Sequence, residues 1–262
     1  MKLDSLFVIF LFIGVFLVKS EYRADVNVAG DVVTSKYRQN ILQTHKWPEV
    51  WPYNEMDLAR QDEQQDSLFY KDPRYVYHID SSAVAALTEY YSEVFQLGDT
   101  VLDICSSWVS HFPREIALNE ACGVGLNANE LAANPQLNSF VVRDLNEHPQ
   151  LPYPDSKFDI VTCVVSIDYL IHPLEIMAEI HRVLKPGGLA VISQSNRYYP
   201  TKAVNVWHST GDLGHLQLIG AYFHFAQGFE QLQAFDISPY PGKTDPMFIV
   251  QARKSRIDTD RY

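Results

Sequence analysis

A loop rich in hydroxyl groups follows the first buried strand that the sequence predicts. Residues 99–113 read D-T-V-L-D-I-C-S-S-W-V-S-H-F-P, and the apolar part, from Val101 to Ile104, shows no alternation. Such a run is typical of a strand buried on both faces of a parallel sheet. Ligands of these sheets bind beyond the carboxyl ends of the strands. We therefore expect the loop at residues 105–113 to face a ligand.

Other polar side chains lie at the predicted carboxyl ends of strands, and Tyr75 and His78 lie just before the first predicted helix. A histidine at such a position can act as a general base, and an arginine suits a carboxylate or phosphate on a substrate. Each of these residues also has a purely structural interpretation, as a packed histidine or a surface charge. The candidates for contacting or activating a substrate are Tyr75, His78, His111, Asp168, Tyr169, Asn196 and Arg197.

Alternating helix and strand patterns place these residues in an α/β domain. A helix capped by Ser81 or Ser82 is predicted to run to about residue 96, and a box of Ser209 and Asp212 is predicted to open a later helix. Strands are predicted at residues 101–104, 121–126, 139–142, 160–166, 189–193, 232–237 and 247–252, with further helices at residues 128–133, 173–184, 200–207 and up to residue 226.

A second long phrase makes the pattern specific. Residues 151–159 read L-P-Y-P-D-S-K-F-D, and residues 182–188 read R-V-L-K-P-G-G. With the strand at residues 101–104, these phrases resemble the class I S-adenosylmethionine-dependent methyltransferases, specifically the type 11 family. The resemblance covers residues 80–254. It implies a Rossmann-like sheet of seven strands, mostly parallel, with a C-terminal antiparallel hairpin and helices on both faces.

The resemblance also implies an activity and a cofactor site. The activity is methyl transfer from S-adenosyl-L-methionine to an acceptor, which the composition favours as a small molecule. An acidic residue at the first strand and the following loop hold the methionine end, a residue after the second strand the ribose, and residues after the third the adenine. In this sequence the positions implied are Asp103, Cys105, Ser106, Ser107, Asn127, Asp144, Leu145, Asn146 and Ser166.

Two departures from the family pattern leave an alternative open. The loop S-S-W-V-S-H-x-P has no glycine where two or three are usual, which resembles a subgroup of the family, and serine hydroxyls replace the close backbone approach. Asn127 stands where an acid usually accepts the ribose hydroxyls, with Glu130 one turn further on as a substitute. The competing interpretation is therefore a catalytically inactive methyltransferase-fold protein that binds or acts as a scaffold. A dehydrogenase is disfavoured, because no Gly-x-Gly-x-x-Gly follows a strand.

Composition bounds the partners. The 262 residues are 47% hydrophobic and carry a formal net charge of −11, which disfavours nucleic acid as a partner because binding there depends on clustered Lys and Arg. The dispersed histidines show no metal-ligand spacing, so no metal site is predicted.

The termini suggest appendages to one domain. Residues 6–18 form an apolar run of signal-peptide length, followed by Ser20 as a cleavage position. We predict a signal peptide or signal anchor at residues 1–20, an arm or lid at 21–80, the methyltransferase domain at 81–254 and a tail at 255–262. The predicted location is the secretory pathway or an organelle reached through it, with a single-pass membrane anchor as the alternative. Three cysteines near strands are expected to be buried free thiols, which suits a reducing compartment.

Overall fold

A seven-stranded sheet forms the centre of the computed structural model, which describes residues 38–256. The strand order is β3-β2-β1-β4-β5-β7-β6, with β1 to β5 parallel and β7 antiparallel to both of its neighbours. The strands are β1 (Thr100–Ile104), β2 (Glu120–Gly125), β3 (Ser139–Val142), β4 (Phe158–Val164), β5 (Leu184–Gln194), β6 (Phe229–Asp236) and β7 (Phe248–Lys254). The predicted sheet, with its C-terminal antiparallel hairpin, is confirmed.

Helices cover both faces of this sheet, as predicted. The helices are α1 (Glu55–Leu58), α2 (Asp66–Phe69), α3 (Ser81–Val94), α4 (Ala128–Ala133), α5 (Pro173–Val183), α6 (Asn205–His208) and α7 (Asp212–Ala226). Apolar residues of α3 pack with one face of the sheet, and those of α5 and α7 pack with the other. Burial on both faces explains why the central strands lack an alternating pattern.

Several local predictions need correction. Asp80, not Ser81 or Ser82, caps α3 by accepting a hydrogen bond from the backbone of Ala83. The helix predicted at residues 200–207 is reduced to the single turn α6. The predicted capping box is wrong, because α7 begins after Gly211 without a side-chain cap. The Ser209 hydroxyl instead donates to the backbone carbonyl of Val206. Local hydrogen bonds thus decided the helix starts, and these are poorly encoded in short motifs.

The described part of the arm, residues 38–80, contacts the domain in two places. Trp47 stacks on His224 of α7 with ring centroids 5.4 Å apart, and Trp51 contacts Tyr222 and Phe225 of the same helix. These two tryptophans therefore dock on the domain core. The later part of the arm, from α2 onward, lies at the carboxyl ends of the strands instead, where Tyr70 lines a cavity.

Two further sequence predictions concern the cysteine thiols and the apolar run near the N-terminus. All three cysteines are free; Cys122 and Cys163 are buried as expected, whereas Cys105 is only half-buried. The predicted signal segment at residues 1–20 lies outside the described residues. Between residues 38 and 256, no helix has both the length and the apolar character needed to cross a membrane.

Candidate functional site

A cavity of about 330 Å³ opens at the carboxyl ends of β1 to β4, beneath the later part of the arm. All nine residues predicted for the cofactor line it. Of the substrate candidates, His78, His111, Tyr169 and Arg197 line it as well. Tyr75, Asp168 and Asn196 are not among its lining residues. Asp168 is buried in the domain, and Tyr75 contacts the edge of Trp108 from a half-exposed position.

Asp103 anchors the floor of the cavity. Its carboxylate accepts hydrogen bonds from the hydroxyls of Ser106 and Ser110, both at 2.7 Å, and of Thr162 at 2.8 Å. The hydroxyls of Ser106 and Ser110, which were predicted to contact a ligand, thus donate their hydrogen bonds to this internal carboxylate. Their oxygen lone pairs can still accept hydrogen bonds from a ligand.

The carboxylate of Asp103 is almost completely buried from solvent. Burial raises the pKa of Asp103 to about 6, against the three hydroxyl hydrogen bonds, which lower it. The carboxylate is therefore ionised at neutral pH. A buried anion lining the cavity favours a cationic group on the ligand.

Backbone strain is concentrated at the same strand ends. Cys105, His111 and Val165 have positive φ angles of 53°, 58° and 41°, and all three line the cavity. Left-handed backbone costs a non-glycine residue roughly 1–2 kcal/mol, and β-branched Val165 is an outlier even among these. At Cys105 and His111 the loop thus adopts the left-handed conformation that favours glycine, although residues 105–113 contain none.

The side chain of Asn127 forms hydrogen bonds to the arm. Its amide oxygen caps α4 by accepting from the backbone of Asn129 and Glu130, and its Nδ2 donates to the backbone carbonyls of Tyr70 and Lys71 at 2.8 and 3.1 Å. An aspartate could supply the cap but not the two donated hydrogen bonds. The amide at this position is thus explained by arm docking.

Replacing Asn127 by aspartate should therefore release the arm. Asn127→Asp would leave two carbonyls without donors and place a carboxylate against them, at a cost of about 2–3 kcal/mol. The expected result is faster amide hydrogen exchange in residues 66–74. The matched control is Asn129→Asp, an exposed position in the first turn of the same helix, which should leave exchange in the arm unchanged. Equal exchange in both variants would contradict this account of Asn127.

Glu130 connects the arm with the loop after β1. One carboxylate oxygen accepts from the backbone N–H of Arg74 and the other from the Ser107 hydroxyl, both at 2.6 Å. The carboxylate still has unused lone pairs facing the cavity it lines. Glu130 can thus hold the arm and also accept from a ligand hydroxyl.

Asp144 and Asn146, after β3, have different roles. The carboxylate of Asp144 accepts hydrogen bonds from the backbone of Asn146 and of Glu147, and it lines the cavity with further lone pairs. Asn146 instead donates to Asp66 and to the backbone of Tyr169, and it accepts from the backbone of Ile171. Asp144 is therefore available to accept from a ligand amino group, whereas Asn146 braces the wall of the cavity.

The side of the cavity next to β4 and β5 is aromatic. The ring of Tyr199 contacts the rings of Phe69, Tyr70 and Tyr169, with centroids 5.2 to 6.3 Å apart. The Tyr199 hydroxyl lies 3.4 Å from Nδ1 of His78. This wall offers flat apolar surface with one imidazole beside it.

His111 is buried and lines the cavity. Burial, together with the nearby His78, lowers the pKa of His111 to about 4, so its imidazole is neutral at physiological pH. A neutral imidazole can accept a hydrogen bond or a proton, although a pKa near 4 makes it a weak base.

The same pKa predicts a pH dependence of stability. Because the unfolded chain binds a proton on His111 near pH 6.5 and the folded chain only near pH 4, this residue makes stability fall as the pH decreases through that window. Asp103, whose pKa is raised by folding, has the opposite effect on the pH dependence of stability. This effect is present in both wild type and His111→Asn, so it cancels when the two proteins are compared. Wild type should lose about 1–2 kcal/mol relative to His111→Asn between pH 7 and pH 5, measured by urea unfolding. Parallel pH profiles would show that His111 is not held neutral by the fold.

The lining residues that were not predicted from the sequence include Asp66, Tyr70, Arg74 and Tyr199. Tyr199 lies in the predicted loop after the fifth strand, so the reasoning applied to Asn196 and Arg197 could have included it. The other three lie on the arm, whose path across the strand ends has no signal in local sequence patterns.

These residues fit S-adenosylmethionine. The cavity volume is at the lower end of the range for small-molecule sites. A buried anion at Asp103 matches the cationic end of the cofactor, Glu130 offers an acceptor for hydroxyls, and Asp144 offers one for the adenine amino group.

Comparison with known proteins defines the class. Residues 104–192 match the family model described as "Methyltransferase domain", of type 11. Residues 104–192, about a third of the chain, are therefore similar to the class I S-adenosylmethionine-dependent methyltransferases of the type 11 family, and S-adenosylmethionine is the cofactor of this class. Both predictions are confirmed.

The similar curated proteins are methyltransferases of small molecules by name. A demethylmenaquinone methyltransferase of Listeria monocytogenes is 29% identical over 141 residues, 50% of this chain and 54% of the relative. One of Lysinibacillus sphaericus is 28% identical over 113 residues, 38% of this chain and 46% of the relative. A sterol 4-C-methyltransferase of Caenorhabditis elegans is 32% identical over 96 residues, 37% of this chain and 28% of the relative. The matches span about half of these relatives or less.

Among solved structures, a SAM-dependent methyltransferase from Aquifex aeolicus is similar with a TM-score of 0.48 and 16% identity, covering 72% of this chain and 97% of that one. A phosphoethanolamine N-methyltransferase of Haemonchus contortus in complex with S-adenosyl-L-methionine has a TM-score of 0.45 and 15% identity, covering 66% of this chain and 52% of that one.

Proposed function

We propose that this protein transfers a methyl group from S-adenosylmethionine to a small organic acceptor. The observation that carries the proposal is the cavity at the carboxyl ends of β1 to β4, which brings together Asp103, Glu130 and Asp144 within a domain of this family. The positions of these carboxylates suit the cationic end, the ribose and the adenine of one extended molecule.

The cofactor supplies a methyl group on a sulfonium, which is already activated for displacement. The protein then has to position both partners and exclude water. Asp103 would attract the cationic end, Asp144 would accept from the adenine amino group, and Ser166 at the end of β4 would lie near the reacting centre. The arm, held by Asn127 and Glu130, would cover the bound cofactor and limit the access of water.

On the acceptor side, the aromatic wall of Tyr70, Tyr169 and Tyr199 supports a flat, largely apolar substrate. His78, within 3.4 Å of the Tyr199 hydroxyl, is positioned to take a proton from an acidic acceptor. The similarity to proteins named for demethylmenaquinone and sterols agrees with an apolar acceptor.

We further propose that the acceptor is not a nucleic acid, since the chain carries a net charge of −11. The apolar run at residues 6–18 would direct the protein to the secretory pathway, or to an organelle reached through it, and supports membrane association if it is retained.

The test is transfer of a labelled methyl group. The full chain should move tritium from S-adenosyl-[methyl-³H]methionine into at least one acceptor of a panel containing a naphthohydroquinone, a sterol and a phenolic acid. His78→Gln should lower the rate by 10- to 1,000-fold with an acceptor that must lose a proton. Cofactor binding without transfer to any member of a broad panel would favour the alternative, a catalytically inactive binding or scaffold protein.

A further inference from the structure

The loop after β1 lacks the usual means of holding an anion. The backbone turns irregularly from residue 105 to residue 119, and the next helix, α4, begins only after β2. A helix N-terminus binds anions through unpaired N–H groups and its dipole, and none follows β1 here. The loop also contains no glycine that would bring its backbone close to a ligand.

Several polar groups of this loop already form hydrogen bonds within the protein. The backbone N–H of Ser106 donates to Val124, and the hydroxyls of Ser106 and Ser110 donate to Asp103. The Ser107 hydroxyl donates to Glu130. With the Asp103 anion beneath it, this end of the cavity repels a carboxylate, although the cofactor carries a carboxylate on its methionine end. A cation must therefore come from elsewhere.

Three arginines line the cavity, and they differ in their partners. Arg197 forms an ion pair with Asp245 at 2.7 Å. Arg143 donates to the backbone carbonyl of Gln150. It follows β3, which lies two strands from β1 in the sheet, so roughly 10 Å separates it from the loop after β1. Arg74 forms no ion pair with any residue between 38 and 256, so its charge is the one available near β1.

Arg74 is also held in place over this end of the cavity. Its backbone N–H is bonded to Glu130, and Glu130 is bonded to Ser107 in the β1 loop. Its guanidinium carbon lies 4.6 Å from the ring centroid of Phe69 and 5.1 Å from that of Tyr199. One amino group donates to the backbone carbonyl of Phe69, which leaves further N–H groups of the fork for a ligand. Stacking orders the fork in advance and so lowers the entropic cost of binding.

We propose that Arg74 binds the carboxylate of the methionine moiety of S-adenosylmethionine, so that the arm supplies part of the cofactor site that the loop after β1 lacks. This inference rests on the proposed function. It gives the arm a direct role in cofactor recognition, and it makes arm docking through Asn127 and Glu130 a condition for tight binding.

The test compares two ligands that differ by one carboxylate. Calorimetric titration of the full chain with S-adenosylmethionine and with decarboxylated S-adenosylmethionine gives the contribution of the carboxylate. Wild type should bind the first roughly 10- to 100-fold more tightly, the range of a charge-assisted hydrogen bond. Arg74→Gln should lose this preference while its affinity for the decarboxylated ligand changes by less than about threefold. Arg74→Lys should keep part of it, since a single ammonium replaces the fork.

Arg143→Gln is the matched control, because it removes another cavity-lining arginine. It should leave the ratio of the two affinities unchanged. Equal loss of both affinities in Arg74→Gln, or an unchanged preference for the carboxylated ligand, would overturn the assignment. Failure of wild type to bind either ligand would instead contradict the proposed function, so the two failures are distinguishable.

Discussion

Replacing Asp66 by asparagine should destabilise the protein by about 3–5 kcal/mol, since it removes the buried carboxylate that pairs with both buried cations, which then keep the more exposed Asp62 and Glu63. Asp66 on the arm accepts a two-oxygen contact from Arg60 at 2.8 and 2.9 Å and lies 3.0 Å from Lys202. The side chain of Lys202 is 0% exposed and that of Asp66 is 3% exposed. Burial opposes ionisation of Asp66, but hydrogen bonds from Arg60, Asn146 and Lys202 lower its pKa overall.

The measurement is urea unfolding at pH 7. Asp155→Asn provides the control, because it removes a carboxylate that pairs with Arg182 at 2.7 Å but is 76% exposed. Water can solvate Arg182 in place of the Asp155 carboxylate, so we expect Asp155→Asn to lower the free energy of unfolding by less than about 1 kcal/mol. If Asp66→Asn cost no more than Asp155→Asn, the buried cluster would not be what joins the arm to the domain.

Replacing Gly125 by alanine should abolish the geometry of the cofactor site. A Cβ atom at Gly125 would meet the backbone oxygen of Ser106 at contact distances no side chain reaches, with the Leu131 side chain 3.3 Å away on the same side. Because the obstacle is backbone, either β2 or the loop after β1 must move. We expect a cost of about 3 kcal/mol in stability and at least a tenfold loss in affinity for S-adenosylmethionine.

Gly211→Ala is the matched control for this substitution. A Cβ atom there meets nothing within 4 Å, and Gly211 has a φ of −102°, which any residue can adopt. Its unfolding free energy should change by less than about 1 kcal/mol and its affinity should stay at the wild-type value. Gly125→Ala with wild-type affinity would mean that the loop after β1 does not shape the site.

The strand ends were the most predictable part of the site. The family resemblance implied Asp103, Asp144 and Ser166, and the apolar runs beside them agree with this placement because parallel strands bring their carboxyl ends to one edge of the sheet. Asn196 does not line the cavity whereas its neighbour Arg197 does, since adjacent loop residues point in different directions and the sequence pattern does not say which one faces the cavity.

The roles of the side chains were harder to predict than their places. Asn127 follows the second strand as expected, yet its donors are taken by backbone carbonyls of Tyr70 and Lys71, 57 and 56 residues earlier in the chain. Hydrogen bonds between residues so distant in sequence leave no periodic trace. For the same reason Arg74 and Asp66 could not be recognised before the path of the arm was known.

Calorimetric titration of the full chain with S-adenosylmethionine, alongside Asp144→Ala, tests the central claim most directly. Asp144 lines the cavity, and its hydrogen bonds within the protein are local ones to the backbone of Asn146 and Glu147, so we expect its removal to cost the fold little. The account predicts saturable binding by wild type and binding weakened roughly 10-fold or more in the variant, as expected for a lost hydrogen bond to a charged group. Absence of binding by a folded wild-type chain would contradict it.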